Sequence, residues 1–190
     1  MDLAIALPAL GLALPLMGVV AILVKVGGGG PVIFRRRVAG RDGVHFDAFK
    51  FRTMVNGADV MLAGNAGLKA AFDANYKLHS DPRVTPVGRV LRKFSVDELP
   101  QLVNVLLGQM SIVGPRMLSP DELPRYGEQL STVLAVKPGL TGPWQVSGRH
   151  RTPYARRIEL DVKYVERWGV LDDLRILLST PSVVLKGTGI

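Results

Sequence analysis

From Leu3 to Val24 the chain runs 22 residues without a charged side chain, bounded by Asp2 and Lys25. At about 1.5 Å rise per residue such a helix is long enough to cross a bilayer core of roughly 30 Å. The run is too long and too uniform for an ordinary buried helix. A cleaved signal peptide is disfavoured as well, because a positive n-region is required and Asp2 has the wrong sign. Pro8 and Pro15 interrupt the run. An interior proline removes one backbone hydrogen bond and clashes with the preceding turn, so a kink is expected at Pro15, near the middle. Two geometries are possible: a bent spanning helix, or a segment that enters, turns at Pro15 and returns to the same face. In either case Lys25, Arg35, Arg36, Arg37 and Arg41 place the remaining domain on the cytoplasmic side.

Gly27 to Pro31 reads as a flexible joint between a membrane segment, 1–26, and a globular part, 27–190. No Gly-Lys-Ser/Thr follows it, which argues against a phosphate loop. The chain has 190 residues, the size of one domain with a real core. Val32 to Phe34 and Phe46 to Arg52 read as strands joined through Gly40-Arg41-Asp42-Gly43. In the second strand Phe49 and Phe51 face one way, Lys50 and Arg52 the other; that cationic face is either plain solvated surface or aimed at a phosphate. Residues 55 to 80 read as a helix followed by loop. Asp81-Pro82-Arg83 and Thr85-Pro86 mark turns, and Gly88 to Lys93 is a short basic segment. A helix is expected over Asp121 to Val136, with Leu123, Tyr126, Leu130, Val133 and Leu134 at helical spacing. Thr152 is expected to cap another at Pro153, with Tyr154, Ile158, Val162 and Val165 on one face. Val170 to Leu185 is expected to break at Pro181 and stop at Gly187. These elements make an α-rich α+β domain.

Lys and Arg number 24 against 16 Asp and Glu, a net charge of +8, which favours anionic partners. The absence of cysteine excludes disulfides, iron–sulfur clusters and cysteine-ligated zinc. His45, His79 and His150 form no ligand motif. Aromatic residues are 6% of the chain, too few for base-stacking platforms, and no nucleic-acid motif is present.

Against this basic background, Ser95-Val96-Asp97-Glu98-Leu99-Pro100-Gln101-Leu102 carries two adjacent carboxylates. Ser95-x-x-Glu98 matches a capping box that starts a helix at Val96; alternatively, Pro100 is the first helical residue. Either puts Asp97 within a turn of a helix N-terminus. Capping of that kind contributes about 0.5–2 kcal/mol and needs no catalysis. The neighbours suggest more. Arg89, Arg92 and Lys93 precede the pair, and Gly114-Pro115-Arg116 follows the next apolar run. A carboxylate can attack phosphorus when cations or a metal neutralise the phosphate, and a second one beside it suits Mg²⁺. Lys137 to Trp144 forms a rigid turn region leading to Gln145 and Arg149, residues suited to a ligand-binding loop.

Taken together the pieces resemble the bacterial sugar transferase family, the monotopic phosphoglycosyl transferases. The resemblance covers essentially the whole chain. It runs through the apolar helix with Asp2 and Pro15, Lys50-Phe51-Arg52-Thr53-Met54, Asp81-Pro82-Arg83-Val84-Thr85 with Gly88-Arg89, and Leu91 to Leu102. It continues through Val113-Gly114-Pro115-Arg116, Lys137 to Gly142, Trp144 to Arg149, Glu159-Leu160-Asp161 with Tyr164-Val165, and Asp173-Leu174-Arg175-Ile176. The resemblance implies transfer of a sugar-1-phosphate from a nucleotide sugar, usually a UDP-sugar, to polyprenyl (undecaprenyl) phosphate, with release of UMP. Asp97 would be the nucleophile of a phosphosugar–aspartyl intermediate, and Glu98 with Asp97 would support Mg²⁺. Arg92 and Arg116 would contact phosphates or nucleotide, as would Lys50, Arg52, Arg89, Gln145 and Arg149.

It also implies a re-entrant helix turning at Pro15, amphipathic interfacial helices, a small β-hairpin, and a compact catalytic domain on the cytoplasmic side of the bacterial inner membrane. Such a chain would start exopolysaccharide, capsule, O-antigen or glycoconjugate synthesis. Departures are few. The family usually has a basic pair just before the position of Asp2, so an anchor charge or an upstream region is expected beyond Met1. Leu14 replaces a small polar residue, Met117 a proline of the Gly-Pro-Arg-Pro loop, and Pro143 a Leu or Gly. The competing reading is a non-catalytic, membrane-attached basic scaffold, indifferent to substitution of Asp97. Which sugar, which polymer, and whether the chain forms a homo-oligomer stay open.

Overall fold

The computed structural model describes residues 1–28, 30–75, 78, 81–148 and 152–187. Helix α1 spans Asp2–Val26 and is continuous through Pro8 and Pro15, so the helix break expected at Pro15 is not present. Although apolar all round, it does not stand away from the rest. Ile5, Ala6, Ala9 and Ala13 pack into the main core, and Met17, Val20 and Val24 into a second cluster. Those contacts recur every three or four residues, which makes one stripe along the helix. Small side chains in its first half let the backbone approach α5 (Gln101–Leu106), its chief partner. Leu3, Leu7, Leu12, Leu16, Val19 and Ile22 cover the opposite side and are exposed.

Both ends of α1 are tied to the same body. Ser111 Oγ and the Ile112 N–H donate to Asp2 Oδ1 at 2.9 and 3.1 Å. Near the other end Arg52 Nη2 donates to the Val24 carbonyl at 3.3 Å, capturing one of the last-turn carbonyls that a helix cannot satisfy itself.

Strands β1 (Ile33–Ala39) and β2 (His45–Phe51) pair antiparallel, from Ile33 opposite Phe51 to Ala39 opposite His45. The connection is a tight turn at Arg41–Gly43, with Asp42 and Gly43 at φ 57° and 76°. β1 runs five residues beyond the expected Phe34. Its three arginines hide the alternation: Arg36 turns inward to an ion pair, while Arg35 and Arg37 flank it. Asn104 on α5 fixes β2 by accepting from the Phe49 N–H at 2.9 Å and donating to the Asp47 carbonyl at 2.9 Å.

Residues 55–75 hold two helices, α2 (Ala58–Ala63) and α3 (Ala66–Asn75), rather than one. The basic segment is α4 (Pro86–Lys93), capped by Thr85, whose Oγ1 accepts from the Gly88 N–H at 2.9 Å. Gly88 is required here, since a Cβ would lie 2.1 Å from the Thr53 carbonyl oxygen. A parallel pair that the sequence does not suggest, β3 (Ser111–Val113) with β4 (Gly139–Thr141), brings the Gly114 and Gly139 loops together. A Cβ on Gly139 would meet the Gly114 nitrogen at 2.2 Å.

Three helix expectations are corrected. Residues 120–134 are not one α-helix: a 3₁₀ stretch, Pro120–Gln129, contains Pro124 and a φ of 49° at Gly127, and only α6 (Leu130–Leu134) is α-helical. After α7 (Pro143–Val146), α8 is Tyr154–Glu166, with Pro153 at the cap; the Thr152 hydroxyl donates to the Ser147 carbonyl instead of capping. α9 (Val170–Leu185) passes through Pro181 unbroken. Tyr154, Ile158 and Val162 do share a face, against Leu118, Tyr126 and Val133, whereas Val165 packs into the main core.

Candidate active site

The carboxylate pair sits on a 3₁₀ turn, Val96–Glu98, between α4 and α5. The expected capping box is absent: Ser95 lies at φ 55° with no side-chain cap, outside the extended region an N-cap needs. The capping box lies instead at Ser119–Glu122. Val96 joins the cluster of Val20, Val24, Phe51 and Leu91, so the turn carrying Asp97 is seated directly on the second half of α1.

Asp97 is buried, at 6% exposure. Burial pushes its pKa up; the Lys50 charge opposes this, Glu98 adds to it, and Arg92 opposes it again. Lys50 reaches over from β2 and donates to Glu98 Oε1 at 2.5 Å. Arg92 is held from α4 by donating Nε–H to Thr53 Oγ1 at 2.9 Å. Beside it Arg83 makes a two-pronged pair with Asp81, at 2.9 and 2.8 Å. Among the described residues no cation is bonded to Asp97 itself: its cations hold other partners and act on it through space.

Arg116 follows β3 and connects this turn to a second polar group. Its charge is felt by Glu98 and by Glu122, and its guanidinium lies over the Trp144 ring, 4.8 Å from the centroid. Glu122, 2% exposed, accepts from Arg36 at 3.0 Å, Arg157 at 3.2 Å, and the Ser119 N–H and hydroxyl at 3.1 and 2.9 Å. Burial alone would raise its pKa, but Arg116, Arg36 and Arg157 overcome that and hold it at about 2. Arg157 lies over Tyr154, 4.3 Å from the centroid, and over Trp144 at 5.5 Å.

The structure therefore brings Lys50, Arg92, Asp97 and Glu98 together, with Arg116 bridging to the arginine group. Arg52 points elsewhere, to Asn56 and the end of α1. Arg89 is exposed. Gln145 lies on α7 with its Oε1 buried and without a partner among the described residues; Arg149 lies outside them. Glu122, Arg157, Arg36 and Asn104 are not among the residues that the sequence marks as candidates. Asn104 stands as a polar residue within an apolar run, and Glu122 in a Ser-x-x-Glu spacing; either signal is readable. Nothing in the sequence around Arg157 marks it.

A family model described as bacterial sugar transferase matches residues 1–187. The chain is 47% identical over 165 residues to an undecaprenyl-phosphate galactose phosphotransferase of Salmonella typhimurium, covering 85% of this chain and 35% of that protein. It is 43% identical over 192 residues to a UDP-galactose-lipid carrier transferase of Erwinia amylovora, covering 99% and 40%. An exopolysaccharide production protein, ExoY, of Sinorhizobium fredii is 44% identical over 189 residues, covering 97% and 84%. The chain thus spans well under half the length of the first two relatives and most of the third.

Proposed function

The chain belongs to the bacterial sugar transferase family, and from that premise we propose that it transfers a sugar-1-phosphate from a UDP-sugar to undecaprenyl phosphate, through a covalent intermediate on Asp97. A carboxylate oxygen of Asp97 attacks the phosphorus bonded to the sugar; the bond to the UMP oxygen breaks and UMP leaves. An oxygen of the polyprenyl phosphate then attacks the same phosphorus and frees Asp97. The single observation that carries this reading is a buried carboxylate with no bonded cation, surrounded by Lys50, Arg92 and Glu98. Such a group is desolvated enough to be nucleophilic, and the nearby cations are placed to neutralise an incoming phosphate.

Mg²⁺ fits this site in a limited way. Among the described residues no cluster of three metal-ligating side chains exists, so Asp97 and Glu98 would supply two carboxylate oxygens and a diphosphate the rest, as Mg²⁺ accepts. Bound there, the ion would spread the phosphate charge. Chelation with EDTA is then expected to stop turnover, and undiminished activity in excess chelator would reject the metal.

The seating of α1 supports a monotopic arrangement. Both helix ends are bonded to one body and the exposed side is apolar from Leu3 to Leu23, ahead of Lys25. Contact along its whole length favours α1 and the body lying together at one face of the bilayer over α1 crossing it alone. In this reading both ends face the cytoplasm, and the exposed leucines of α9, Leu171, Leu174 and Leu178, extend the apolar surface. The turn at Asp97, packed on α1, then meets a soluble donor and a lipid acceptor at the inner-membrane boundary. The test is donor-dependent labelling. Incubation with UDP-sugar labelled in the sugar-linked phosphate should leave label on the wild type and none on Asp97→Asn. Product formed by Asp97→Asn at wild-type rate would overturn the proposal.

A further inference from the structure

Arg36, Arg116 and Arg157 come from three different segments and converge on one side chain, Glu122. Three guanidiniums against one firmly ionised carboxylate leave a surplus of positive charge in a largely buried place. Asp161 lies alongside, but burial pushes it up to about 7, so it supplies less than a full negative charge at neutral pH. The donors are also incompletely used: Nε of Arg116 and Nε of Arg157 are buried with no hydrogen-bond partner among the described residues. The stacking on Trp144 and Tyr154 steadies a cation but leaves its N–H groups unsatisfied. A buried cluster with surplus charge and spare donors is completed by an anion. The Arg116 and Glu98 charges also act on each other through space.

We infer that Glu122 is a positioning residue for the donor's phosphates: a resident counter-anion that holds Arg116 and Arg157 ready and leaves part of their donor capacity open. The inference rests on the donor-transfer reading above. Its carboxylate stands in for one anion in the absence of substrate, so the arginines neither repel one another nor turn to solvent. Glu122 touches no reacting atom; its effect passes through the guanidiniums.

The experiment compares Glu122→Gln and Glu122→Asp with the wild type, using inorganic phosphate and UMP as probes. An amide of the same shape presents an NH₂ to guanidinium donors and cannot hold them. In phosphate-free buffer Glu122→Gln is expected to melt below the wild type, and added phosphate or UMP is expected to raise its melting temperature more than the wild type's. Donor KM is expected to rise about tenfold with a smaller change in kcat, the mark of lost ground-state and transition-state binding alike. Glu122→Asp, which keeps the charge, should recover part of both. A purely structural glutamate would lower the melting temperature without any added response to phosphate and with donor KM unchanged, and either result overturns the inference. The melting response needs no turnover. It can be read in Asp97→Asn too, so failure of the anion site is distinguishable from failure of the covalent mechanism.

Discussion

Asp97 and Glu122 are both carboxylates buried to within a few per cent of full enclosure, yet they are driven in opposite directions. Desolvation raises both. Glu122 accepts directly from two guanidiniums, a hydroxyl and an N–H, and ends at about 2. Around Asp97 the nearest ammonium is bonded to the neighbouring Glu98, and the nearest guanidinium to a threonine. Burial wins there. The difference separates a carboxylate used to hold other groups from one kept available. The first gains stability from its charge, and the second carries its charge at a cost to the folded state.

The largest effect that tests this contrast is Asp97→Asn. Turnover should fall by on the order of 10³-fold or more, as for a removed nucleophile. The melting temperature should not fall, because a costly buried charge has been exchanged for a neutral amide of the same shape. A variant that is both inactive and clearly less stable would break the contrast, since Asp97 would then be holding the fold as Glu122 does. Lys50→Met comes next. It leaves Glu98 without its ammonium and removes the strongest charge opposing the rise at Asp97. Activity should drop about 10- to 100-fold, the scale of one charged donor in a desolvated site. The acid limb of the pH–rate profile should also move to higher pH, because Asp97 must be ionised to attack. An acid limb that moves down would show that Lys50 does not act on Asp97.

Legibility in the sequence divides along the same line. The Asp97 turn announces itself, because two acids in a basic chain stand out in one short stretch. The Glu122 group does not. Arg36, Arg116, Glu122 and Arg157 are scattered along the chain, and the β3–β4 pairing, the bridge from Ala39 of β1 to Leu118 and the packing of α8 bring them together. The apolar segment is legible as a membrane-seeking helix, but its stripe of contacts is not: when every position is apolar, no pattern marks the packed side. Pro181 misleads for a related reason. α9 lies partly against β3 and β4, and tertiary contacts keep it helical where a proline alone would break it. The strand with Arg35, Arg36 and Arg37 reads too short from sequence because its inward residue is an arginine whose partner, Glu122, is distant in the chain.

Arg52 shows how far α1 belongs to the catalytic body. Strand alternation groups it with Lys50, yet it closes the end of α1. Arg52→Ala should destabilise the protein by about 1–3 kcal/mol, the cost of leaving a buried carbonyl unmet, and should increase protease cleavage around Gly27–Gly30. Activity per folded molecule should change less than in Lys50→Met. An Arg52→Ala variant of full stability with donor KM raised would return Arg52 to the phosphate site.

A third carboxylate sharpens the contrast most finely, although its effect is the smallest. Asp161 is fully buried in the same neighbourhood as Glu122 but is pushed up to about 7. Tyr126 donates to its Oδ2 at 3.2 Å, while Oδ1 has no partner among the described residues. The Arg157 and Arg116 charges lower it without overcoming burial, whereas at Glu122 the same two charges, joined by Arg36 and by direct bonds from two guanidiniums, do overcome it. Its ordinary value is 3.8. Between that value and about 7 the folded protein holds a proton that the unfolded chain has lost, so this group's contribution to stability falls as pH rises through that window. Asp161→Asn cannot titrate and still accepts from Tyr126. Melting in detergent at pH 5 and pH 8 should therefore show the wild type losing more stability than the variant over that interval. The variant should be the more stable of the two at pH 8. Should the wild type instead gain relative to Asp161→Asn on going to pH 8, Asp161 would be an ionised partner of Arg157, and the rule separating Asp97 from Glu122 would fail at its closest test.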